Sequence, residues 1–237
     1  LCYKEDMRPD GNCRVCMVEI EGERVLQPSC VRTVTDGMII NTSTERVNHS
    51  QKLVLELLTS DVSEEVYTQD NELTTWANKL QIQTHRFPSN IQDKRDTSHP
   101  AITVNLSACI QCTRCVRACR EEQVNDVIGY AHRGIKSEIV FDINDPMGES
   151  TCVGCGECVQ ACPTGALMPS KEVGLTIPDK KVESVCPYCG VGCLLTYNVK
   201  DNKILYTEGR DGPANLSRLC VKGRYGFDYI NNEGRLT

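Results

Sequence analysis

Cys109-Ile110-Gln111-Cys112-Thr113-Arg114-Cys115-Val116-Arg117-Ala118-Cys119 and, 43 positions on, Cys152-Val153-Gly154-Cys155-Gly156-Glu157-Cys158-Val159-Gln160-Ala161-Cys162-Pro163 carry one pattern twice. Each run spaces its cysteines C-x2-C-x2-C-x3-C. Such close pairs cannot bridge broadly across a fold as disulfides would. They suit several thiolates converging on one inorganic cluster. The repeat therefore predicts a metal-bearing module over residues 101–170, in a reducing compartment.

Working outward, the remaining cysteines form two more groups of four. Cys2, Cys13, Cys16 and Cys30 are spaced C-x10-C-x2-C-x13-C. Pro9 and Gly11 suit a loop that wraps closely around inorganic sulfide. A [2Fe–2S] group needs four such thiolates, and a zinc site is the alternative. Cys186, Cys189, Cys193 and Cys220 are spaced C-x2-C-x3-C-x26-C. On spacing alone this group admits a zinc ribbon as well as a [4Fe–4S] cluster. The four groups use all 16 cysteines, so no thiol is left over as a nucleophile. No catalytic triad or phosphate loop is apparent.

Composition sets the outer bounds. The chain has 237 residues, of which 40% are hydrophobic and 5% aromatic, so its small subdomains need staples beyond an aromatic core. A net charge of −6 argues against nucleic-acid binding. No apolar run approaches the ~20 residues of a membrane span, and no secretory signal is visible. Leu1 in place of Met, and an end at Glu233-Gly234-Arg235-Leu236-Thr237, predict a piece of a longer protein. Arg14, Arg114, Arg117, Arg120 and Arg133 lie near cysteines in sequence. They read as solvated surface, with an offset to cluster charge as the sharper alternative.

Local patterns predict the elements. Arg14–Ile20 and Arg24–Pro28 read as strands around a Glu21-Gly22 turn, and Asp36-Gly37 precedes another at Met38–Asn41. Thr44 is placed to cap a helix to about Thr59, with Val47, Val54, Leu57 and Leu58 on its apolar side. A second helix over 71–83 puts Leu73, Trp76, Ala77 and Leu80 on a core-facing stripe. Residues 84–100 read as a connector and 169–183 as a polar linker. Leu194–Val199 and Ile204–Thr207 read as strands around Lys200-Asp201-Asn202.

The double run resembles the bacterial two-cluster ferredoxin, in which the fourth cysteine of each run binds the other cluster. The resemblance implies one [4Fe–4S] set of Cys109, Cys112, Cys115 and Cys162. It implies a second of Cys152, Cys155, Cys158 and Cys119. The first run departs by carrying Arg120 where the second has Pro163. The Cys2 group is similar to the N-terminal [2Fe–2S] domain of complex I large subunits, iron-only hydrogenases and soluble formate dehydrogenases. Cys220-Val221-Lys222-Gly223-Arg224 resembles the [4Fe–4S] domain that opens molybdopterin oxidoreductases. There the lysine after the last cysteine lies between cluster and pterin, and Lys222 matches that position.

Taken whole, the chain is similar to the N-terminal iron–sulfur region of the catalytic alpha subunit of soluble NAD-dependent molybdopterin formate dehydrogenases, most of all the tungsten type of methylotrophs. Arg8–Cys13, Pro146-Met147-Gly148, Cys186–Cys193 and Gly209–Asn215 carry the likeness. The implied fold is α+β. A β-grasp-like [2Fe–2S] domain spans 1–43 and a helical connector 44–100. The double ferredoxin module follows, and a small β-rich [4Fe–4S] domain over 184–237 opens a molybdopterin oxidoreductase fold. Many relatives carry a further His-x3-Cys-x2-Cys-x5-Cys cluster in the connector. Leu58–Glu72 has neither cysteine nor histidine, and His49 and His85 read as ordinary polar residues, so that cluster is expected to be absent.

The implied activity is reversible oxidation of formate to carbon dioxide. Its Mo or W bis-pterin guanine dinucleotide centre would lie beyond Thr237, leaving no catalytic residue here. The implied partner is a diaphorase-type beta subunit with FMN and the NAD site, in a cytoplasmic hetero-oligomer. Rival readings are a complex I or hydrogenase subunit and a stand-alone electron-transfer protein.

Overall fold

The computed structural model describes residues 1–63, 68, 71–84, 86–170 and 176–236. His85 and part of the Leu58–Glu72 stretch lie outside them. The architecture is α+β, with four small antiparallel sheets and five short-to-medium α-helices among the described residues.

The first sheet places β1 (Met17–Ile20) between β2 (Gln27–Pro28) and β3 (Ile40–Asn41). The expected strand from Arg14 starts later. Arg14 adopts a left-handed φ of 61°, which turns the Cys13–Cys16 loop out of extended backbone. α1 (Glu45–Ser60) begins where expected, because the Thr44 hydroxyl accepts from the Val47 amide at 3.3 Å. Thr44→Ala is expected to cost about 1 kcal/mol, read as a lower denaturant midpoint for melting of α1. Val47 and Leu55 form the buried side of α1, joined by half-buried Val54 and Leu58. Leu57 was expected there but faces solvent, since it lies about 100° round the helix from Leu58.

α2 (Glu72–Lys79) is capped by the Asn71 side chain and buries Leu73 and Ala77. Trp76 departs from the core reading. It is 37% exposed, with the Lys79 ammonium 4.4 Å from its ring centroid. β4 (Arg95–Asp96) arises inside the expected connector. It pairs with β5 (Ile102–Asn105), which also pairs with the distant β8 (Leu167–Pro169).

Between β5 and β8 the two cysteine runs enclose the hairpin of β6 (Ile128–Ala131) and β7 (Glu138–Phe141). α3 (Arg114–Arg117) follows the first run's opening loop and α4 (Glu157–Ala161) the second's. The sequence repeat is also a backbone repeat. Gln111 and Thr113 hold φ of 53° and 66°, and Gly154 and Gly156, 43 residues on, hold 63° and 71°. After α3 the chain widens into a π-helical turn, Ala118–Glu122, that carries Cys119.

The last sheet has the order β11-β10-β9. β10 (Leu194–Lys200) and β11 (Lys203–Gly209) meet at Asp201 and Asn202, whose φ of 47° and 61° make a two-residue turn. β9 (Lys180–Val185) corrects the linker reading. Its sequence is polar because it is an exposed edge strand, held by backbone pairing to β10 rather than by an apolar face. α5 (Val221–Tyr225) begins at Cys220. Among the described residues no helix is long and apolar enough to cross a membrane.

Candidate metal centres

None of the 16 cysteines is in a disulfide. Among the described residues no trio of His, Cys, Asp or Glu is arranged to hold a lone metal ion. The thiols of the double run instead ring two small cavities. Cys109, Cys112, Cys115 and Cys162 line one, closed by Leu106, Ile110 and Ile139. Cys119, Cys152, Cys155 and Cys158 line the other, closed by Val127 and Ile128. The last cysteine of each run thus stands with the other run's first three. Four sulfurs around a small, mostly apolar space are the donor set and setting that fit a [4Fe–4S] group.

Electrostatics agree with this grouping. Burial, then the neighbouring thiols Cys112 and Cys162, pushes Cys109 up to about 12. Burial likewise pushes Cys112 up to about 12, opposed in part by the Arg114 and Arg117 guanidiniums. Burial carries Cys115 and Cys158 well above the ordinary thiol range, and lifts Cys152 and Cys155. A cluster binds thiolates, so burial that favours the neutral thiol makes metal uptake and proton release one event. Backbone amides already point at several sulfurs. Gln111 donates to Cys109 at 3.4 Å, Gly154 to Cys152 at 3.4 Å and Val127 to Cys119 at 3.3 Å.

The outer groups also converge. The amides of Cys2 and Cys13 each donate to the other's sulfur, at 3.3 and 3.5 Å. The hydrogen bond between the two thiols lowers Cys13 and raises Cys2. Cys30 is raised by burial and then by its hydrogen bond with Cys16. Gly11 supplies the left-handed φ of 64° that this loop requires. In the last group, burial raises Cys193, and the Cys186, Cys189 and Cys220 thiols add to the shift. The Asn215 side chain braces this group's domain through the Leu194, Arg210 and Arg218 carbonyls. Lys222 is exposed on α5, two residues past Cys220.

Two arginines correct the surface reading. Arg114 and Arg117 are 5% and 3% exposed, whereas Arg14, Arg120 and Arg133 face solvent. Arg117 donates to the Cys2 and Arg8 carbonyls, both at 2.5 Å. Arg114 donates to the Tyr3 carbonyl at 2.7 Å and grips both Glu72 carboxylate oxygens, at 2.6 and 2.8 Å. Together they clamp the Cys2 segment onto α3. Cys2, Cys112 and Ile110 share one buried cluster, with Cys13 packed against it. The Cys2 group therefore abuts the first ferredoxin cavity directly.

At the opposite end, α5 is locked to the second run. Arg224 donates from Nε to the Cys155 carbonyl at 2.9 Å, and to Gln160 Oε1 at 2.6 Å. It also pairs with Glu157 at 3.0 Å, with side-chain exposures of 4% and 7%. Gln160 extends the junction to the Gly209 amide and the Ser217 carbonyl. Sequence reading missed Glu157 and Gln160, since a polar residue between ligand cysteines carries no signal of a distant partner.

Three family models match separate parts of the chain. They are a 2Fe-2S iron–sulfur cluster binding domain over residues 1–45, a 4Fe-4S dicluster domain over 108–166, and the molybdopterin oxidoreductase Fe4S4 domain over 179–232. An NADH-quinone oxidoreductase component of Rhizobium meliloti is 30% identical over 99% of this chain and 28% of its own length. A candidate formate dehydrogenase of Staphylococcus haemolyticus is 28% identical over all of this chain and 29% of its own length. The chain thus spans less than a third of these relatives. A chain of a solved NAD+-reducing [NiFe]-hydrogenase superposes with a TM-score of 0.68 at 27% identity, covering 75% of this chain and 77% of that one.

Proposed function

We propose that this chain, which carries the iron–sulfur domains found in molybdopterin oxidoreductases, NADH-quinone oxidoreductases and formate dehydrogenases, is the electron relay of a formate dehydrogenase. Cys2, Cys13, Cys16 and Cys30 hold a [2Fe–2S] group. Cys109, Cys112, Cys115 and Cys162 hold one [4Fe–4S] group, and Cys152, Cys155, Cys158 and Cys119 another. Cys186, Cys189, Cys193 and Cys220 hold the third. When bound, such groups supply one-electron storage and transfer. The chain's own residues fix their order, and the observation that carries the reading is the packing of the Cys2 group on the first run, the shared core of the two runs and the Arg224 bridge from α5 to the second.

The relay joins a Mo or W pterin centre, on the Lys222 side, to a diaphorase-type partner with FMN and the NAD site, on the Cys2 side. The whole enzyme converts formate and NAD+ to carbon dioxide and NADH, reversibly, in the cytoplasm. No cluster is assigned to the connector, since Leu58–Glu72 has neither cysteine nor histidine to ligate one. A second reading, a subunit of a complex I-like or hydrogenase-like assembly, is favoured by the hydrogenase superposition and the similarity to the NADH-quinone oxidoreductase component. The candidate formate dehydrogenase of Staphylococcus haemolyticus, similar over all of this chain, supports the first.

Anaerobic metal analysis of the chain is expected to count about 14 Fe, one [2Fe–2S] and three [4Fe–4S]. About one Zn with roughly 10 Fe would make the Cys186 group a zinc ribbon. For the enzyme itself, the native protein is assayed for formate-dependent NAD+ reduction and for Mo and W. Activity with hydrogen or a quinone and none with formate would give the second reading the field.

A further inference from the structure

We propose that the Tyr225 hydroxyl donates a hydrogen bond to an inorganic sulfide of the cluster held by Cys119, Cys152, Cys155 and Cys158, raising its reduction potential. The inference rests on the ligand assignment above.

Tyr225 closes α5, five residues after Cys220, so one short helix joins the last cysteine group to the second ferredoxin run. Its Oη is buried and has no hydrogen-bond partner. A buried hydroxyl left unpaired costs free energy, and native chains rarely leave one so. Its place explains what is missing. The hydroxyl lies against Gly156, filling the space where a side chain would begin. Gly156 itself lines the cavity of that group. Tyr225 packs against the core that contains Cys119 and Cys158.

Nearby protein acceptors are engaged. Arg224 takes the Cys155 carbonyl and the Glu157 carboxylate, and the Val159 and Gln160 amides take the Gly156 carbonyl. Inorganic sulfide is the acceptor chemistry that the bound group brings to this spot. A donor aimed at cluster sulfur offsets the added negative charge of the reduced state, so it favours reduction.

The test is EPR-monitored redox titration of the iron-loaded chain. Tyr225→Phe removes only the hydroxyl. It is expected to keep about 14 Fe and to move one [4Fe–4S] midpoint to more negative potential, leaving the others in place. Substituting 3-fluorotyrosine at the same site, a more acidic donor, is expected to move that midpoint the opposite way, which a purely steric role would not do. Full iron content with every midpoint unmoved in both variants overturns the inference and leaves the ligand assignment standing. Full iron content and intact signals in Cys155→Ala would instead overturn the assignment and the inference together.

Discussion

Cys119→Ala is expected to lose about four of the roughly 14 irons, and the signal it loses should be the one that Cys155→Ala loses. The grounds are spatial. Cys119 closes the first run in sequence, yet it lines the cavity with Cys152, Cys155 and Cys158. The π turn after α3 carries it there, and the Val127 amide fixes its sulfur at 3.3 Å. Cys162→Ala should correspondingly share its missing signal with Cys109→Ala. Alanine is preferred to serine, whose oxygen can remain a ligand. If Cys119→Ala and Cys109→Ala abolish the same signal, the crossed assignment is wrong.

Arg224→Ala should be the most damaging change outside the cysteines. It strands the Glu157 carboxylate, whose pKa burial already raises, without its guanidinium partner. Breaking a buried pair in this way costs roughly 3–5 kcal/mol. The same change frees the Cys155 carbonyl and leaves Gln160 Oε1 with the Gly209 amide alone. The junction between the last sheet and the second run should open first. Limited proteolysis of the iron-loaded chain is expected to cut near α5 at denaturant concentrations that leave the wild type intact. Glu157→Gln added to Arg224→Ala should recover part of the loss by removing the buried charge. Wild-type protection in Arg224→Ala would show that the pair holds nothing together.

Much of the local architecture was legible because its physics is local. Thr44 caps α1 through an amide three residues on, and Asp201-Asn202 turns a hairpin because both tolerate left-handed backbone. The α+β class and the three kinds of iron–sulfur domain followed from cysteine spacing and resemblance, and the family matches agree. Trp76 and Leu57 were misplaced because helical periodicity locates a stripe to within about one step of 100°, and which edge of it is covered depends on neighbours. β9 was missed because an edge strand paired on one side needs no apolar alternation.

The sequence by itself determined which chemistry the chain is built for, since cluster ligation is written in short cysteine spacings. It also determined where helices and turns begin, since capping and left-handed backbone act within a few residues. Only the tertiary structure decided which charges are buried and how the cysteine groups follow one another. Arg117 meets the Cys2 carbonyl across 115 positions and Arg224 meets Glu157 across 67. A charge can leave water only when a partner waits in the interior, and that partner comes from a remote segment that no local pattern announces.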